Sequence, residues 1–256
     1  MSYFPTPAAE EVIRSAICSK LDSYDPEPSD KPFQVRLLGR DRMALYTFIQ
    51  SLNTTFGTSI YEPVAKVIAA DRFDRVELQA KAPNTMSVGV SNMIGEIVRR
   101  LRAADTAPVR SEHDRELRSA QVADTEKLSV KLTKIDVLLQ RDNKLYLVDI
   151  KTAKPNKSNF ENYKRQLLEW MGAFIEQDSD LDVYPMIAIP YNPYAPEPYR
   201  RWTLRGMLDL EHELRVADEF WDFLGGNGAY EQLLDCFERV GIQLREEIDT
   251  YFARFQ

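Results

Sequence analysis

Residues 134 to 154 read KIDVLLQRDNKLYLVDIKTAK. Two runs of alternating apolar residues flank the turn-forming RDN. Each run carries an acid where a strand interior usually excludes charge: Asp136 in the first and Asp149 in the second, with Lys151 two residues later. Two carboxylates held together in a partly buried site repel, so their pKa values separate. A divalent cation removes that penalty, and oxygen-only ligands with an open coordination position suit Mg2+. Metal ions in such sites lower the pKa of a water and stabilise charge on a phosphoryl oxygen. A neighbouring lysine then orients or deprotonates the attacking water, or neutralises the pentavalent intermediate. The chemistry these residue types suit is phosphodiester hydrolysis. The plainer alternative is an exposed charge pair at 149 and 151 and a surface acid near a turn at 136.

Positioning such a set requires a hairpin. With a period of two, Leu145, Leu147, Asp149 and Lys151 share one strand face, and Tyr146, Val148 and Ile150 the other. On the preceding run Ile135, Val137 and Leu139 share a face opposite Lys134, Asp136 and Leu138. Strands are expected at 128–140, 144–151 and 183–192, the last nearly all apolar and so central. Helices are expected near 8–21 and over 41–52, 58–70, 86–105 and 163–177. Three more are expected after residue 210: ELRVADEFWDFLG, AYEQLLDCFERVG and IQLREEIDTYFARF. The polar stretch 105–126 reads as irregular or exposed. This order predicts an α/β protein, a mixed β-sheet flanked by helices. Residues 1–256 read as one domain, with helical elaborations at 1–105 and 206–256.

The spacing of Asp136, Asp149 and Lys151 resembles the PD-(D/E)xK nuclease core of type II restriction endonucleases and related repair nucleases, with Ile135 standing where that motif has proline. The resemblance implies a restriction-endonuclease-like fold and a catalytic set of Asp136, Asp149 and Lys151. It makes Asp136 and Asp149 the ligands of Mg2+. Many members of this superfamily add a glutamate from an upstream helix, which Glu62 in GTSIYEPVAKVIA matches. A polar residue from the following helix would be Gln166. Read plainly, Glu62 and Gln166 are ordinary helix-surface residues. The segment 191–226, YNPYAPEPYRRWTLRGMLDLEHELRVADEFWDFLGG, is similar to a subgroup of type II enzymes cutting interrupted GG-N-CC sites. A repair or junction-resolving nuclease, or a non-catalytic DNA-binding module, are the competing readings.

The net charge is −7, which alone argues mildly against nucleic acid. The distribution matters more. Residues 131–165 hold nine Lys/Arg against four Asp/Glu, whereas 206–256 hold four against twelve. A phosphate-facing side can look like this. Lys154, Lys157, Lys164 and Arg165 are candidate backbone contacts. Asn192, Tyr194, Arg200, Arg201 and Arg205 form a proline-stiffened loop suited to reading bases or clamping the backbone. Asn84 in KAPNTMS is a further candidate. A near-palindromic double-stranded DNA site implies a twofold homodimer. His113 and His212 read as surface residues. No apolar run is long enough to span a membrane, no signal pattern appears at the start, and Cys18 and Cys236 form no framework. A cytoplasmic location is expected.

Overall fold

The computed structural model describes residues 4–25, 31–123, 126–151, 159–200 and 206–255. It opens with helices α1 (Thr6–Ser23), α2 (Pro32–Leu38) and α3 (Arg40–Phe56). A π-helical turn, Gly57–Tyr61, carries α3 into α4 (Glu62–Ala69). Pro63 lacks the N–H that a continuing helix would use, and the π-helical turn lies directly before it. Strand β1 (Arg75–Ala80), the short β2 (Thr85–Ser87), α5 (Val88–Arg102) and α6 (Arg110–Ala123) follow. Next come β3 (Lys127–Ser129), then the anticipated hairpin of β4 (Ile135–Arg141) and β5 (Lys144–Ile150). The chain continues through α7 (Phe160–Gln177), β6 (Asp182–Ile189), β7 (Leu214–Val216), α8 (Asp218–Gly225) and α9 (Ala229–Ala253).

Five strands form a mixed sheet in the order β1-β4-β5-β6-β7, while β2 and β3 pair separately. The β1, β4 and β5 neighbours are antiparallel; β5, β6 and β7 are parallel. Strand β6 is parallel to both neighbours and buried, which explains its continuous apolar run. Helices cover both faces. Leu138, Leu145, Leu147 and Ile187 pack with Val90, Ile94, Leu117 and Leu167 from α5, α6 and α7. Val137, Leu139, Val148 and Met186 pack with Ile13, Ile68, Phe220 and Leu233 from α1, α4, α8 and α9. Helices α5 and α7 approach closely at Gly172, where a Cβ would lie 2.7 Å from Val90 Cγ1.

Strand β1 lies in a stretch for which no element was expected; its outward residues are polar and its run is short. Four expectations are corrected. The strand expected at 128–140 is two, β3 and β4, which belong to different sheets. The 105–126 stretch contains α6, a helix whose buried residues include Leu117 and, against their type, Arg110 and His113. Leu214–Val216 is a strand rather than the start of a helix, and Ala217 turns the chain with φ +50°. The last two expected helices are one, α9, running straight through Gly241. In addition, Ile135 joins the cluster of Leu138 rather than that of Val137 and Leu139, so strict alternation fails at the start of β4.

Candidate active site

The register of the hairpin fixes the neighbours of the acids. The β4–β5 ladder ends at Val137 opposite Val148, and Asp136 and Asp149 are the next residues past its end. On the other edge of β4, Leu78 faces Val137 and Ala80 faces Ile135, with Gln79 and Asp136 between them. Gln79, Asp136 and Asp149 therefore gather at one end of three adjacent strands. Glu62 joins from the first turn of α4 and is buried, only 3% exposed. Gln79 Nε2 donates to Glu62 Oε2 at 2.8 Å and to Asp136 Oδ1 at 3.3 Å. The backbone N–H of Ile150 donates to Asp136 Oδ2 at 2.8 Å. Lys151 Nζ donates to Asp149 Oδ1 at 2.8 Å and stands 5.2 Å above the Tyr163 ring of α7.

The electrostatics follow from burial. Burial, then the nearby Asp149 charge, pushes the Asp136 carboxyl up from its ordinary 3.8 to about 7, against the lowering effect of the Ile150 N–H. Burial likewise raises Glu62, and the Gln79 amide partly offsets this. Asp149 is 4% exposed, and its Oδ2 has no hydrogen-bond partner among the described residues. A buried acceptor left open in this way costs free energy unless something outside the chain meets it. Among the described residues no three His, Cys, Asp or Glu form a ready-made metal cluster. The chain offers two neighbouring aspartates, with Glu62 tied in through an amide.

The structure thus brings Asp136, Asp149, Lys151 and Glu62 together. It does not bring Lys164 to the surface. Lys164 is fully buried, and its ammonium lies 2.6 and 2.7 Å from the Glu213 oxygens, so it is corrected from a phosphate contact to half of a buried ion pair. Neighbouring Arg165 is half-buried and lines a cavity of about 210 Å3 with Lys131, Ser91 and Glu169. Gln166 is half-buried on α7, and no hydrogen bond among the described residues ties it to the acids. Asn84 is exposed at the mouth of the β2–β3 ribbon, where its carbonyl accepts from Val130 N.

The loop after β6 leaves the sheet at the same end as Lys151, because Ile150 pairs with Ala188 in parallel. Within it the Asn192 side chain serves the loop itself, donating to Glu197 O and accepting from Tyr194 N. Arg200 stacks 4.7 Å over the Tyr194 ring. Lys154, Lys157, Arg201 and Arg205 lie outside the described residues. His212 is exposed against Asp209. His113 is not a surface residue: it is buried, and desolvation together with Lys164 and Arg100 lowers its pKa from 6.5 to about 3. Gln79 is the residue sequence reasoning missed. Its one available signal was a polar amide inside the alternating VELQA, and its φ of +52° has no signature in the sequence.

Comparison with known proteins supplies the context for this site. Type II restriction enzyme HgiEI of Herpetosiphon aurantiacus is 27% identical over 239 residues, covering 89% of this chain and 85% of the relative. HgiBI from the same organism is 26% identical over the same shares. The type II restriction enzyme MjaII of Methanocaldococcus jannaschii is 23% identical over 77% of this chain and 55% of its own length. No helix among the described residues is long and apolar enough to cross a membrane. The model of the HinfI type II restriction endonuclease family matches residues 8–241, and the chain belongs to that family.

Proposed function

We propose that the chain hydrolyses double-stranded DNA at a short specific sequence, with Mg2+ as cofactor, through a PD-(D/E)xK-type centre of Asp136, Asp149, Lys151 and Glu62. The observation that carries this reading is a buried Asp149, one oxygen open and the other on Lys151, near enough to Asp136 for its charge to raise that carboxyl. The donor set fits the ion. Mg2+ keeps several waters and takes one or two carboxylates, and Asp136 and Asp149 supply two hard oxygen donors. When bound, the ion would lower the pKa of a water and offset charge on the scissile phosphate.

The chain's own residues do the rest. Asp149 Oδ1 anchors the Lys151 ammonium, which leaves two of its three N–H donors for the attacking water or a phosphoryl oxygen. Ile150 N–H fixes the orientation of Asp136. Arg165 and Lys131, beside their shared cavity, are placed as phosphate contacts, and the loop after β6 as the base-reading or backbone-clamping segment. We read the target as a GG-N-CC-like site and the active form as a twofold dimer. Helices α2 and α3 support the dimer with an apolar face on which Phe33 and Leu37 are 84% and 81% exposed.

Incubation of sequenced plasmid DNA with and without Mg2+ tests this. The expected result is discrete fragments only with the ion, with mapped ends at one short sequence. Asp149→Asn and Lys151→Ala are expected to lose cleavage and keep duplex binding. Cleavage retained by either variant, or discrete digestion without a divalent ion, overturns the reading. A smear without defined ends would leave a nuclease but remove the site-specific assignment.

A further inference from the structure

We infer that Gln79 is a positioning residue of this site, whose single amide nitrogen ties Glu62 on α4 to Asp136 on β4. The inference rests on the metal reading above and goes beyond it, since Gln79 matches no part of the sequence pattern. Three observations carry it. First, Nε2 has two hydrogens and both are committed, at 2.8 Å to Glu62 Oε2 and at 3.3 Å to Asp136 Oδ1. Second, Glu62 comes from a helix on one side of the sheet, and among the described residues the Gln79 amide is its one hydrogen bond to the strands. Third, Gln79 has φ +52°, a backbone region that L-residues avoid. The strand does not end there, because Ala80 pairs again with Ile135. A distortion confined to one residue inside a continuing strand points to what that side chain does rather than to the strand.

The amide spans the two carboxylates and so holds Glu62 at a set separation from Asp136. Gln79 touches neither substrate nor ion in this account. It acts through two acids, and its loss loosens their geometry.

Calorimetric Mg2+ titration of the intact protein, paired with thermal melts, tests the assignment. Glycine accepts positive φ without strain, so Gln79→Gly removes the amide and keeps the backbone. The expected result is a folded protein melting close to wild type, relieved backbone strain opposing the unmet Glu62 oxygen, together with an Mg2+ affinity weakened about 10- to 100-fold, the range typical of residues that orient metal-binding groups. Gln79→Asn, which also tolerates this backbone but is one methylene too short, is expected to match it. Glu62→Gln is expected to weaken Mg2+ binding as well, and the Gln79→Gly/Glu62→Gln pair to be no weaker than the worse single variant. Wild-type affinity in Gln79→Gly, or effects that multiply in the pair, overturns the positioning role. Asp149→Asn separates the two claims. If it abolishes Mg2+ binding while Gln79→Gly leaves it intact, only the Gln79 assignment falls. If binding survives Asp149→Asn, the metal reading falls and the assignment with it.

Discussion

Replacing Asp136 by asparagine in the metal-free protein should change how stability depends on pH, by an amount the structure sets. An acid whose pKa is raised on folding holds its proton more tightly folded than unfolded. Its contribution is fully present below the unfolded value of 3.8 and is lost as pH rises through the folded value of about 7. Between pH 5 and 7 the loss is about 2.3 kcal/mol at 1.36 kcal/mol per unit, because the acid is half titrated at pH 7, and this is an upper bound because Lys151 and solvent relax around the new charge. His113 acts with the opposite sign. Its pKa falls from 6.5 to about 3 on burial, so its contribution is present above 6.5 and lost as pH falls toward 3. From pH 7 to pH 5 that costs about 2 kcal/mol. These two slopes oppose each other, so the wild-type curve does not report Asp136 by itself.

The difference curve isolates the acid. Urea unfolding followed by circular dichroism, in EDTA at pH 5, 6, 7 and 8, gives the stability of wild type and of Asp136→Asn. Their difference should fall by about 2–3 kcal/mol in favour of the variant between pH 5 and 7, then level off. Asp149→Asn should keep part of the slope, because burial ranks ahead of the Asp149 charge among the causes. A difference curve that is flat over this range would refute the argument that Asp136 is buried beside a second negative charge.

Three other variants probe the framework. Lys164→Met should cost about 3–5 kcal/mol in urea unfolding by stranding Glu213 in the core, and adding Glu213→Leu should recover most of it. Gly172→Ala should lower stability by about 1–3 kcal/mol, relieved by Val90→Ala, since the new methyl meets Val90 at 2.7 Å. Asp136→Ala should be less stable than Asp136→Asn by about 1–3 kcal/mol at pH 8, because only asparagine leaves Ile150 N–H an acceptor.

The parts of the site legible in the sequence were those that break a pattern locally. Asp136 and Asp149 are charged residues inside apolar alternation, and the two-residue turn between Arg141 and Lys144 fixes a register that brings both to the same end of the β4–β5 ladder. Glu62 was legible as one acid in an apolar helix. What was hidden depends on distant partners. Lys164 sits among basic residues and reads as surface, and only Glu213, 49 residues on and ahead of β7, explains how its charge is buried. His113 and Arg110 lie in a stretch whose polarity hides α6, because that helix buries polar groups against Asp182 and Asp209. Gln79 was hidden twice over. It stands at a polar position of a short alternating edge strand, where an amide reads as solvent-facing, and it holds its place by a backbone angle that glutamine rarely adopts.

The placement of the acids also explains why the site opens where it does. Strand β5 stays bonded to β6 past its end, with Lys151 N donating to Ala188 O at 2.9 Å. On its other edge the ladder with β4 stops after Val137 and Val148, and Ile150 N–H turns to the side chain of Asp136. A backbone carbonyl in that place would keep the two strands in register and close the sheet over the acids. A carboxylate satisfies the same donor and frees β4 to diverge, so one residue both ends the ladder and lines the opening. Glu62 reaches that opening from the α4 side, and Tyr163, beneath Lys151, from the α7 side.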